Sequence, residues 1–129
     1  MVMRRGLLSF VSIAVLACGL LVLSTGRAEA RSFSTSSSFG FYSGSPDAFL
    51  GQVASNSNRC RAGRLVKVYR ERGRRDRLIG TDRANATGQW AIDINVPVAR
   101  YYALIPKKKF GPNGRNVCRK FKSSTLTFG

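Results

Sequence analysis

The sequence predicts an all-β fold, a sandwich or barrel of about seven short strands, from Ala48 to the end of the chain. Three observations carry that prediction. Stretches of six to eight residues alternate apolar and polar and are bounded by turn residues. No stretch beyond the first thirty residues keeps a 3.6-residue period. Two cysteines, Cys60 and Cys118, stand where alternating strand directions bring them to the same end of such a fold.

The elements follow in order. Residues 1–30 read as a signal peptide: Arg4 and Arg5 give a basic start, an apolar run extends from about Gly6 to Leu23, and Ala28-Glu29-Ala30 is an A-x-A cleavage signal. Cleavage after Ala30 leaves 99 residues beginning at Arg31. Two alternatives stand beside it: an uncleaved membrane anchor, since the run is near the ~18 residues that span a bilayer, and lipidation of Cys18 in the Val15-Leu16-Ala17-Cys18 box. The twin arginines also bear a loose similarity to a Tat signal. Small residues ahead of a polar segment favour ordinary cleavage. Residues 31–47 are rich in serine and glycine and read as a flexible linker. Phe33, Phe39, Phe41 and Tyr42 punctuate it, as scattered aromatics on a loose tail or as groups that dock on the domain or a partner.

The domain then spans residues 48–129. Strands are expected at Ala48–Ala54, Leu65–Arg70, Arg77–Asp82, Gln89–Val96 and Arg100–Ile105, with one or two more between Arg119 and Phe128. Val66 and Val68 point one way, and Lys67 and Tyr69 the other. Trp90, Ile92 and Ile94 share a face opposite Ala91 and Asp93, and Leu126 faces with Phe128. Gly73, Gly88 and the run Gly111 to Gly114 mark turns.

Removal of the first segment takes Cys18 with it and leaves Cys60 and Cys118, an even pair outside the cytoplasm, so a disulfide is expected. It closes a 59-residue loop and stabilises by roughly 4 kcal/mol in the loop-entropy model. The second and sixth strands run in the same direction, which places both cysteines at one end. The shortened chain keeps 19 basic and five acidic residues, a net charge of +14 that attracts polyanions. Strand alternation gathers much of that charge at the cysteine end: Arg59, Arg61 and Arg64 before the second strand, and Arg83 after the third. Lys107, Lys108, Lys109 and Arg115 precede Cys118, and Arg119 follows it. These nine form a candidate polyanion surface, with solvent-splayed side chains that bind nothing specific as the plain alternative. Arg72, Arg74 and Arg75 lie at the other end, offset by Glu71 and Asp76, which are expected in salt bridges of that hairpin.

The stretches FLGQV, GRLVKVYRE, LIGTDRANATGQWAI and ARYYALIP resemble secreted bacterial domains of the carboxypeptidase-regulatory-like, transthyretin-like group. The matching residues are Gly51, Val66 and Val68, Thr81 and Asp82, Gly88 and Trp90, and Tyr101 to Ala103, and the resemblance covers about Phe49 to Phe128. It implies a Greek-key β-sandwich of about seven strands used as a non-catalytic module, often at cell surfaces. The cysteine pair and the arginine-dense loops depart from the group's general pattern.

Most chemistry is excluded by composition. The chain has no histidine, which removes the His-based nucleophilic arrangements and the commonest metal ligand. Oxidised cysteines offer neither thiolate nor zinc ligand. Asp47, Glu71, Asp76, Asp82 and Asp93 are too sparse for a calcium site, and no phosphate-binding glycine loop is present. Asn85-Ala86-Thr87 is a glycosylation sequon best read as chance. No catalytic residue, metal, cofactor or small-molecule substrate is expected. Two functions stay open: a structural or interaction module outside the cell or at its surface, with another surface protein as one partner class, and a binder of anionic polymers or lipid head groups.

Overall fold

The computed structural model describes residues 30–128. The expected signal segment, with Cys18, lies outside the described residues except for Ala30. Among the described residues the chain is all-β, with no α-helix. No helix there is long and apolar enough to cross a membrane. The strands are β1 (Ser32–Phe33), β2 (Ser36–Ser37), β3 (Gly40–Tyr42), β4 (Ala48–Ala54), β5 (Leu65–Arg70), β6 (Arg77–Arg83), β7 (Gln89–Asp93), β8 (Ala99–Ile105), β9 (Lys108–Phe110), β10 (Asn116–Cys118), β11 (Phe121–Lys122) and β12 (Leu126–Phe128). Short 3₁₀ turns occupy Asn58–Cys60 and Pro112–Gly114.

Two sheets enclose one core in a sandwich-like arrangement. In the first, β4 pairs with β7 on one edge and with β2 and β3 on the other. In the second the order is β6-β5-β8, with β11 and β12 both along the far edge of β8. A small third sheet, β1-β10-β9, sits at the cysteine end, with β1 parallel to β10. Alternation decides which residues face inward: Phe49 and Val53 from β4, Trp90 and Ile92 from β7, Val66 and Val68 from β5, and Tyr101, Ala103 and Ile105 from β8 are buried together. Phe49 and Tyr101, from opposite sheets, meet at 5.0 Å between ring centroids and are both fully buried. Truncating such an aromatic costs about 3–5 kcal/mol. The Tyr101 hydroxyl donates to the Pro97 carbonyl at 2.6 Å, which satisfies its polar end.

Residues 31–47 are not a linker. They form β1, β2 and β3 and extend the folded unit upstream of Ala48. The physical reason is packing on a free edge of β4. Phe39 lies 5.2 Å from the Phe49 ring and 6.1 Å from Trp90, and Phe41 lies 6.1 Å from Phe49. The Trp90 Nε1–H donates to Ser37 Oγ at 3.0 Å. Gly51 makes this possible: a Cβ there would run into the Ser38 carbonyl oxygen and sit 2.7 Å from the Trp90 ring. Of the four aromatics in this segment only Tyr42 is largely exposed, at 57%.

The expected strands at Ala48–Ala54 and Leu65–Arg70 have the observed bounds, while β7 ends at Asp93 rather than at Val96. The β9–β10 hairpin was not expected and arises around the turn from Gly111 to Gly114. β5 and β11 both run antiparallel to β8 and so run the same way. Cys60 and Cys118 accordingly meet at one end as a disulfide, with Cα atoms 5.3 Å apart.

Candidate functional site

The cysteine end is built as a clamped cap. The turn Asn58–Cys60 carries Cys60 inward, where it joins Cys118 at the end of β10; both are fully buried. Beside the disulfide Phe33 and Phe110 pack at 5.7 Å, and the Arg59 guanidinium lies 5.7 Å over the Phe110 ring.

Arg64, counted above among the surface cations, is instead 1% exposed. Its Nη1 donates to Thr35 Oγ1 and to the Cys60 carbonyl, each at 3.0 Å. Its Nη2 donates to the Pro106 carbonyl at 2.8 Å and the Arg119 carbonyl at 3.3 Å. The five-donor fork suits this task, because four acceptors from four chain segments converge on one planar group. Burial pushes its pKa down, though a guanidinium stays charged in proteins. Arg64 is therefore a structural pin, and it leaves the polyanion surface.

The remaining eight cations stay at or near solvent. Arg59, Arg83, Lys107, Lys108, Lys109 and Arg119 are exposed, and Arg61 and Arg115 are half-buried. Arg61 is tied to Asn58 Oδ1, and its Nε is buried without a hydrogen-bond partner. Register sorts the small sheet. Lys108 stands opposite Cys118 and Lys109 opposite Val117, with Ser32 on the other side of Val117. Arg119 Nε donates to Ser32 Oγ at 2.8 Å, so Arg119 gathers on the face of Lys109. Arg83 is separate: it ends β6 opposite Leu65 and donates to the Gly63 carbonyl at 3.3 Å. β9 is an outer strand of its sheet, and lysines on such an edge also oppose edge-to-edge association.

Asp82, Asp76 and Glu71 are committed to structure. Asp82 takes the Arg83 backbone N–H at 2.8 Å and the Ala91 N–H at 2.9 Å, fastening β6 to β7. Asp76 accepts from the Arg72 backbone N–H at 3.1 Å and from the Tyr102 hydroxyl, and Glu71 accepts from Thr125 Oγ1 at 3.3 Å. These donors are neutral groups, where the sequence led to an expectation of arginine partners. Burial, and then the bond to Asp76, push the Tyr102 phenol up to about 12. The same bond, with the Arg72 N–H, draws Asp76 below the usual carboxylate range. Asn85 of the sequon accepts from the Thr87 and Gln89 backbone N–H groups at 3.0 and 2.9 Å and forms a turn. A cleft of about 360 Å³ on the first sheet, lined by Ser38, Leu50, Gly51, Gln52, Gln89 and Trp90, holds no ionisable side chain.

Lys67, Arg100 and Lys122 were absent from the sequence-derived candidates. Lys67 alternates with Val66 and Val68 and was legible as outward-facing; its alignment with the other two is a matter of register. Comparison with protein-family models, with characterised proteins and with solved structures found no match for this chain.

Proposed function

We propose that this chain is a non-catalytic interaction module that works outside the cytoplasm and binds polyanions through its cationic cap. The carrying observation is the grouping of Arg59, Lys107, Lys108, Lys109 and Arg119, all exposed, around a buried disulfide and the buried Arg64. A disulfide belongs to an oxidising compartment. The rigid cap holds the charges near one another before any partner arrives, which lowers the ordering cost of binding. The A-x-A signal supports export, and the resemblance to carboxypeptidase-regulatory-like, transthyretin-like domains supports a module rather than an enzyme.

The test is a salt titration of the purified, disulfide-bonded protein on immobilised heparin and on DNA. Retention at low salt that collapses steeply as salt rises is expected, since displaced counterions weaken each contact. A protein that ignores both matrices at low salt ends this proposal.

A further inference from the structure

The six cations within the strands of the two main sheets all lie on one of them. β2, β3, β4 and β7 contain no lysine or arginine. The second sheet contains Lys67, Arg70, Arg77, Arg83, Arg100 and Lys122. Register places four of these on its outer face. Lys67 stands opposite Leu104, which in turn stands opposite Lys122. Arg83 stands opposite Leu65, two residues before Lys67, and Arg100 is two residues before Tyr102. From the cap towards the β5–β6 hairpin the face therefore reads Arg83, then Lys67 and Lys122, then Arg100.

Resting on the polyanion proposal above, we infer that this outer face is a docking track along which a linear phosphodiester polymer lies, running from the cap towards the hairpin. The chemistry of the partner follows from what the face presents. Tyr102 offers no stacking platform: it is 7% exposed, with the half-buried Tyr69 stacked on it at 5.6 Å and Lys122 Nζ 4.3 Å from its ring centroid. The face thus recognises backbone charge and not bases. Guanidinium forks match phosphate oxygens, and lysines serve as point charges between them. Asp82 points away from the track, towards Ala91, whereas Asp76, bonded to Tyr102, and Glu71, beside Arg100, put negative charge at the hairpin end and close the track there. The seven residues of β6 span about 23 Å at ~3.3 Å each. That exceeds the ~8 Å screening length at physiological salt, so a short ligand feels only one part of the track and a long one feels all of it.

Two double variants with the same change in net charge test this. Lys67→Gln with Lys122→Gln alters the track; Gln52→Glu with Ala54→Glu alters the outer face of the first sheet. Binding of fluorescent oligothymidylates of about 4 and 20 nucleotides is read by anisotropy over a salt series, with near-ultraviolet circular dichroism confirming each fold. The track variant is expected to weaken the long oligomer about tenfold at low salt. It should also flatten the slope of log affinity against log salt by about 1.4, at ~0.7 per lost contact on a single strand. The first-sheet variant should change affinity less than about threefold, and inorganic polyphosphate of similar length should compete with the long oligomer. Equal losses in the two variants, or equal affinity for short and long oligomers, overturn the track while leaving cap binding intact. A sulfated glycan that outcompetes polyphosphate overturns the phosphodiester assignment. Failure of the unaltered protein to bind the long oligomer at low salt overturns the track; failure to bind heparin as well ends the cap reading.

Discussion

The two main sheets share one core and differ in what they show to solvent. The outer face of the first carries Leu50, Gln52, Ala54, Gln89, Ala91 and Asp93, with no cation; that of the second carries Lys67, Arg83, Arg100 and Lys122. β4 and β7 alternate buried and exposed residues cleanly, whereas β6 and β8 do not, so alternation alone does not place the second sheet's cations. The difference shows that a net charge of +16 is a quantity without a location until register assigns one. It also shows why the first sheet needs its N-terminal segment. That segment's serines and phenylalanines cover the free edge of β4, whereas β8 is covered by β11 and β12.

The contrast depends on the sheets staying joined at the cap, and the largest expected effect breaks that joint. Replacing Cys60 and Cys118 by serine removes a cross-link between residues 58 apart and should lower stability by about 4 kcal/mol, read as a shift in the urea midpoint. Arg64→Met should cost about 3 kcal/mol, because it strips donors from Thr35 and from the carbonyls of Cys60, Pro106 and Arg119 in a buried site. A midpoint within experimental scatter of the unaltered protein would show that water replaces the guanidinium. The smallest effect belongs to the cationic sheet. The folded protein holds the Tyr102 phenol protonated up to about pH 12, above its unfolded value near 10. The stability this contributes is complete below about pH 10 and is lost as pH rises from 10 towards 12. Ultraviolet titration of Tyr102→Phe should lack the highest-pH tyrosine step; an unchanged titration would place the shift elsewhere.

Much of the architecture was legible in short windows. The bounds of β4 and β5, the inward set Trp90, Ile92 and Ile94, and the meeting of the two cysteines followed from alternation and direction. The N-terminal segment was missed although a signal existed: Thr35, Ser37, Phe39 and Phe41 stand at every second position, and Thr35 is buried while the other three are half-buried. Serine and glycine between them obscured that period. At the candidate site, the exposed cations of the cap were readable as a cluster, but Arg64 looked like its neighbours Arg59 and Arg61 in sequence.

By itself, then, the sequence determined the all-β class, the inward faces of the long strands, the disulfide pair and the excess of positive charge, because each is encoded within a few residues or by composition. Only the tertiary structure decided that Arg64 is buried, that residues 31–47 belong to the fold, and that Lys67, Arg100 and Lys122 share one face with Arg83. Those outcomes depend on pairings between segments far apart in the chain, such as β5 with β8 and β8 with β11. A shift of one residue in either pairing would send the aligned side chains to the opposite face.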